Sequence, residues 1–281
     1  MASQLRADVY VAPGLKIAGS HPPNHGHWSP ISCTLIQGES EAVLVDTPMS
    51  EEQTRELIKW IEETAPAKEL VYIYITHGHG DHFFGISQLK ERWPNAKAIA
   101  SAGSAEHAKH QLEPPWWNGF WSKYFPDQIR LPVELPESLS SDSFTVEGHK
   151  FRVVEVGHTD TKNTTVLHIP DIGLIVAGDV VYGDVHQYFA EANTTELRNE
   201  WLRALDKIEA LKPQTVVAGH KRPGTIDGVF NIHTTREYIK AFERIVSESK
   251  DKEEVQSKML KLYPSRINPR AVASGAAAAF K

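Results

Sequence analysis

Ile75-Thr76-His77-Gly78-His79-Gly80-Asp81-His82 closes the apolar run Leu70-Val71-Tyr72-Ile73-Tyr74-Ile75, and this junction decides the fold. The run has the length and the β-branched and aromatic content of a buried strand. Behind it, three imidazoles and a carboxylate fall between positions 77 and 82, separated by Gly78 and Gly80, which permit the tight turns a short loop needs. The spacing is not helical, because side chains two apart diverge on a helix. A loop at a strand end can instead converge His77 and His79 on one ion and present Asp81 and His82 to another. A solvated histidine turn is the plainer reading, but so many ligand types between glycine spacers point to a metal.

Three more segments share this design. Gly157-His158-Thr159 follows Phe151–Val156, Gly178-Asp179 follows Gly173–Ala177, and Gly219-His220 follows Thr215–Ala218. Each is a short β-rich run, a glycine and then a potential ligand, which is how a sheet carries site residues on the loops at one edge.

The His-x-His-x-Asp-His string and these later elements, in this order, resemble the metallo-β-lactamase superfamily over about positions 7 to 225. The resemblance implies an α/β fold, an αββα four-layer sandwich. It also implies one metal on His77, His79 and His158, a second on Asp81, His82 and His220, and Asp179 as the bridge. Two divalent cations are therefore expected; nitrogen and oxygen donors without thiolate suit zinc, and also iron and manganese. A hydroxide shared by two cations would serve as nucleophile. Asp81 and Tyr182 are the expected catalytic residues. Tyr182, three positions after Asp179, resembles the tyrosine that homoserine-lactone-type lactonases of this superfamily place beside the substrate carbonyl, with a buried structural tyrosine as the alternative. His79 departs from the glutamate of flavodiiron proteins, and Asp179 from the cysteine ligand of subclass B1 β-lactamases. The expected activity is a dinuclear hydrolase opening a small cyclic ester or amide. A glyoxalase II-like thioester hydrolase and a mononuclear iron persulfide-type dioxygenase stand as alternatives.

At 281 residues the chain is long enough for one large domain, read as spanning 1–281 with residues 227–281 as a helical extension packed on it. Its 41% hydrophobic and 23% charged residues are those of an ordinary globular chain. Thirty-six acids against thirty bases give a net charge of −6 with no basic block, which argues against nucleic acid as a partner and leaves a small-molecule substrate. The single cysteine, Cys33, sits in a strand-like setting that fits a reducing compartment. No secretory core and no membrane-length apolar run is present, so a cytoplasmic protein without a membrane partner is expected, with a homodimer left open.

Pro114 to Tyr124 crowds Trp116, Trp117, Phe120, Trp121 and Tyr124 together. This segment is either a pocket wall or core packing. Trp28, Trp116, Trp117, Trp121, His186 and Tyr188 are the candidate pocket residues. Trp28 belongs to a turn-rich loop, His21 to Pro30, that also carries His21, His25 and His27. Asp8 to Ile17 reads as an opening hairpin turned at Pro13-Gly14. Ser50 and Thr194 read as helix N-caps, His107 and His110 as exposed polar residues, and Ala271 to Phe280 as a docked or frayed tail.

Overall fold

The computed structural model describes residues 5–19 and 26–280. Six strands, β1 (Arg6–Ala12), β2 (Ile31–Gln37), β3 (Glu41–Val45), β4 (Glu69–Ile75), β5 (Lys97–Ala100) and β6 (Glu137–Ser138), lie side by side in that order. The β1-β2-β3 part is antiparallel, and β3 to β6 run parallel. Parallel neighbours need crossovers, and two helices follow accordingly: α1 (Glu51–Thr64) between β3 and β4, and α2 (Ile86–Arg92) between β4 and β5. After β5 come α3 (Ala102–His110) and two single turns, α4 (Pro114–Trp116) and α5 (Ser122–Tyr124). Ser50 caps α1, its side chain accepting from the Gln53 amide at 3.2 Å.

A second sheet runs β12 (Thr215–Val217), β10 (Leu174–Val176), β9 (Thr164–Ile169), β8 (His149–Gly157), β7 (Ser143–Val146), while β11 (Tyr182–Gly183) pairs with β13 (His220–Lys221). Period-two alternation then builds the layers. On the first sheet Cys33, Leu35, Ala42, Leu44, Ile73 and Ile75 face α1 and α2, and Ile36, Val43, Val45 and Tyr74 face the other way. The latter meet Phe151, Val153, Leu167, Val176 and Val217 of the second sheet. Its opposite face, with Val166, Ile175 and Val216, is covered by α6 (Thr195–Ala210) and α7 (Phe230–Ser247). The result is the expected αββα four-layer sandwich.

Helices α8 (Lys252–Leu262) and α9 (Pro269–Ala279) join this last layer through Val255, Met259, Val272 and Ala276. The alanine-rich tail is thus a docked helix, and Gly275 lets it approach Phe189, whose Cβ would lie 2.9 Å from an added methyl. The opening hairpin does not form. Strand β1 pairs with β2 instead, Ala12 opposite Ile31, because the sheet edge offers a longer ladder than a local turn at Pro13-Gly14. His21 and His25 lie outside the described residues. Among the described residues no helix is long and apolar enough to cross a membrane.

Candidate metal centre

The centre lies where β3, β4, β8, β10 and β12 end. Asp46 follows β3 in a left-handed conformation, φ 59°, which turns its carboxylate back toward the loop after β4. Its Oδ1 accepts from the Thr76 amide at 2.8 Å and its Oδ2 from the Thr76 hydroxyl at 2.8 Å. The same Oδ2 lies 3.0 Å from His82 Nδ1. Gly78 is required here, since an added Cβ would lie 2.6 Å from the His107 Cβ and 2.7 Å from its ring. Gly219 lets β12 pass Asp179, whose Oδ1 would lie 2.4 Å from an added Cβ.

Four histidines each have one ring nitrogen tied outward. His77 Nδ1 meets Thr76 Oγ1 at 3.0 Å, His79 Nε2 meets Glu191 Oε1 at 2.9 Å, His82 Nδ1 meets Asp46, and His220 Nδ1 meets the Pro30 carbonyl at 2.8 Å. Such outer partners fix the tautomer and ring plane of metal-binding imidazoles. The opposite nitrogens turn inward onto carboxylates. His82 Nε2 is 3.2 Å from Asp179 Oδ1, and His220 Nε2 is 3.3 Å from Asp179 Oδ2 and 3.4 Å from Asp81 Oδ2. His79 Nδ1 and His77 Nε2 lie 2.9 and 3.6 Å from Asp160 Oδ2.

Ligand-type atoms of His77, His82 and Asp179, of Asp81, His82 and His220, of His77, His79 and Asp160, and of His79, His107 and Glu191 fall into four compact, overlapping groups. His77 Nε2, His82 Nε2, Asp160 Oδ2 and Asp179 Oδ1 are buried without a hydrogen-bond partner. Buried polar atoms are seldom left so. Orphaned atoms of imidazole and carboxylate, aimed at common points, fit divalent cations.

His158 differs from the other expected ligands in its surroundings. It is half-buried and belongs to none of these groups; its Nε2 faces the Glu191 carbonyl at 3.1 Å, and its amide donates to Glu200 Oε1 at 3.1 Å. Just before it a bulge interrupts the pairing of β8 with β9, between Glu155 and Gly157, with Gly157 at φ +102°. His107, expected on the surface, is buried, with its ring 5.6 Å from that of His79.

The carboxylates set the protonation of the centre. Burial pulls the His79, His82 and His220 imidazoles down, but facing carboxylates outweigh it: Glu191 and Asp160 for His79, Asp179 and Asp46 for His82, Asp179 and Asp81 for His220. All three are raised, His220 to about 10. Burial and the neighbouring His82 hold His77 well below its ordinary value. Burial would raise Asp81, yet His220 and His82 hold its carboxyl below the usual range. Burial and the Asp179 charge keep the Tyr182 hydroxyl protonated. That hydroxyl donates to Asp179 Oδ2 at 2.5 Å, and the Trp28 indole donates to Asp81 Oδ2 at 2.6 Å.

Above the centre opens a cavity of about 240 Å³ whose floor includes His79, Asp81, Asp179 and His220. Trp28, Trp116, Trp121, Tyr182, His186 and Tyr188 line it. Trp117 does not line it, contrary to expectation; it packs on Phe84, ring centroids 5.9 Å apart, because a π-helical turn over Trp117–Trp121 rotates it toward the helix-side core. Glu191, Asp160 and the cavity-lining residues Asn268, Arg270 and Ser274 of the C-terminal segment were not foreseen. Asp160 stands two positions after His158, but no spacing rule separates it from an ordinary turn aspartate.

A strand-end centre of histidines and aspartates beneath an aromatic cavity, on an αββα sandwich, defines a metal-dependent hydrolase. The family model of the metallo-beta-lactamase superfamily matches residues 18–220, and the chain belongs to that superfamily. It is 24% identical over 217 residues to a metallo-beta-lactamase type 2 of Bacteroides fragilis, covering 76% of each chain. It is 30% identical over 190 residues to a hydroxyacylglutathione hydrolase of Cereibacter sphaeroides, covering 66% of this chain and 59% of that one. The match thus spans less than two thirds of the hydroxyacylglutathione hydrolase. Among solved structures, a metallo-beta-lactamase family protein of Thermus thermophilus has a TM-score of 0.63 at 18% identity, covering 95% of this chain and 91% of that one. A metallo-beta-lactamase from Pontibacter korlensis has a TM-score of 0.59 at 19% identity, covering 84% and 99%.

Proposed function

We propose that this hydrolase holds two divalent cations, zinc in the first instance, and opens a small cyclic ester or amide. The observation that carries the reading is the gathering of imidazoles and carboxylates, several with orphaned buried atoms, next to an aromatic cavity that His79, Asp81, Asp179 and His220 line. His77, His79 and His158 would hold one cation, Asp81, His82 and His220 the other, with Asp179 between them. Bound there, two cations supply Lewis acidity and lower the pKa of coordinated water from about 15.7 to about 7.

The remaining work falls to the chain. The carboxylate of Asp81, held ionised and fixed by the Trp28 indole, faces the cavity and can orient a water proton. Tyr182 acts through Asp179 by holding its Oδ2, and is a positioning residue. Trp28, Trp116, Trp121 and Tyr188 offer apolar faces that exclude bulk water and seat a flat ring. Arg270 is the one cationic arginine or lysine among the described lining residues, which suits a substrate with a single acidic group. Hydrolysis adds water across the acyl C–O or C–N bond and releases the ring-opened acid.

A thioester substrate is the second reading, supported by the similarity to hydroxyacylglutathione hydrolases. A panel of lactones, lactams and thioesters, each with and without a carboxylate, tested on zinc-loaded protein decides between them. Turnover confined to thioesters would sink the cyclic-substrate reading. Metal analysis separates both from an iron dioxygenase: one iron per chain with oxygen uptake would remove the hydrolase. On the same reading the partner is a small molecule, not nucleic acid, and the lone buried Cys33 suits the cytoplasm.

A further inference from the structure

We propose that His186 is a substrate-binding residue of the cavity: its imidazole is held as the Nε2–H tautomer and offers that proton to an acceptor oxygen of the substrate. The inference rests on the hydrolase reading for the cavity being the substrate site, and adds to it a group outside the metal centre.

His186 lines the cavity and is only 1% exposed, so what its ring shows is shown to the cavity. The two ring nitrogens differ. Nδ1 lies 2.7 Å from the Tyr238 hydroxyl, whereas Nε2 has no hydrogen-bond partner among the described residues and, unlike the orphaned atoms of the centre, is not sealed off.

Which nitrogen carries the proton follows from Tyr238. That tyrosine is fully buried, and burial keeps its hydroxyl protonated. Among the described residues His186 Nδ1 is the one acceptor within hydrogen-bond distance of the hydroxyl, and a buried O–H is seldom left without an acceptor. Tyr238 therefore donates to Nδ1, and the imidazole proton sits on Nε2. A doubly protonated ring would leave the Tyr238 proton with no acceptor. Burial, followed by the Arg266 charge, lowers the imidazole to about 4 against the opposing pull of Asp184, so the ring is neutral near pH 7.

The donor is also fixed in direction. The His186 amide donates to the Ile267 carbonyl at 2.9 Å, and the Gln187 side chain donates to the Thr235 carbonyl at 3.2 Å. Tyr238 is clamped in turn, stacked with Phe189 at 5.9 Å between centroids and covered by the Arg266 guanidinium at 4.6 Å. A neutral donor on a rigid wall accepts a carbonyl, carboxylate or phenolic oxygen. It rejects a substrate that presents N–H or ammonium at that place, because two donors are then left facing each other.

The test uses zinc-loaded protein with isotope-labelled histidine. Long-range proton–nitrogen NMR spectra distinguish the two neutral tautomers and the imidazolium, and the His186 signals are assigned by their loss in His186→Gln. We expect a neutral ring protonated on Nε2, and a shift of its Nε2 signal on addition of ortho-hydroxymethylbenzoate, the ring-opened form of the aromatic lactone phthalide. A ring protonated on Nδ1, an imidazolium near pH 7, or an Nε2 signal that the probe leaves in place overturns the proposal. His186→Leu removes the donor, and His186→Gln returns an N–H at the reach of Nε2. On the best panel substrate kcat/KM should fall about 10-fold in the leucine variant and recover to within about 3-fold of wild type in the glutamine variant, with KM carrying most of the change. A leucine variant with wild-type kcat/KM overturns the proposal as well; should that variant fail to fold, the wild-type spectra still decide. No turnover on the panel with the probe-induced shift present defeats the hydrolase reading and not the donor, whereas turnover without the shift defeats the donor and not the hydrolase.

Discussion

Replacing Tyr182 by phenylalanine removes one oxygen atom and little else. The ring stays packed beside Trp201, 6.0 Å between centroids, and the cavity keeps its shape. What disappears is the 2.5 Å hydrogen bond from the hydroxyl to Asp179 Oδ2, the same oxygen that stands 3.3 Å from His220 Nε2. A hydrogen bond to a buried charged group contributes about 1.5–3 kcal/mol, and each 1.36 kcal/mol is tenfold in rate. Should that orientation of Asp179 matter in the transition state, kcat falls roughly 10- to 150-fold while KM stays near wild type. Metal content should be retained, because the carboxylate remains. Since burial and Asp179 hold the hydroxyl proton well above pH 10, the ratio of wild-type to variant kcat should be flat between about pH 6 and 9. The assay is steady-state hydrolysis of the best panel substrate alongside metal analysis of the same samples. Wild-type kcat with both cations in place would show that the Tyr182–Asp179 contact takes no part in turnover.

Asp46→Ala strips three partners at once, the Thr76 amide, the Thr76 hydroxyl and His82 Nδ1, and should weaken metal affinity by about 10- to 100-fold in chelator competition; unchanged affinity would deny Asp46 its supporting part. Trp201→Phe leaves the Val180 carbonyl without the indole donor that holds it at 2.9 Å, so the turn carrying Asp179 should loosen and stability fall by about 1–3 kcal/mol in urea unfolding. A midpoint identical to wild type would refute that. Stripping the cations with a chelator should lower Tm, by mass action on the folded state. In the stripped protein His220, raised to about 10 from an ordinary 6.5, stabilises fully below pH 6.5 and loses that contribution as pH climbs through about 10. Its Tm should therefore decline over this window, with His79 and His82 acting in the same direction, and a rising Tm there would contradict the carboxylate contacts.

Where the fold was legible in the chain, the reason is periodicity. Cys33 and Leu35, Ala42 and Leu44, and Ile73 and Ile75 alternate with residues of the second face, and alternation is a local signal that survives folding. Ser50 and Thr194 cap their helices for an equally local reason. The strand-end glycine followed by a ligand located His77, His79, Asp81, His82, Asp179 and His220 near one another, because a sheet delivers its strand ends to one edge. His158, in a segment of the same design, stays outside the groups these residues form. The bulge beside Gly157 was not legible, since neither residue type nor spacing announces one. His107 and Trp117 were misplaced for a related reason. The burial of one depends on Gly78 admitting its ring, and the direction of the other on a π-helical turn, both of them tertiary facts.

One side of the cavity comes from beyond the span that holds its floor. Every ligand-type residue of the centre, from His77 to His220, lies within the span matched by the superfamily. Asn268, Arg270, Ala271, Ser274, Ala277 and Ala278 come from beyond it and close one side of the same cavity. Asn268 reaches back to bond Ser29, beside Trp28, whose indole holds Asp81. A floor of imidazoles and carboxylates polarises an ester, an amide or a thioester carbonyl alike, so it cannot by itself choose among them. Discrimination must come from groups that touch the rest of the substrate, and here these are the aromatic segment after α3, His186 and the helix α9. Of these three, the aromatic segment and His186 lie within the span matched by the family model and α9 beyond it, so the matched span holds the whole floor and only part of the wall.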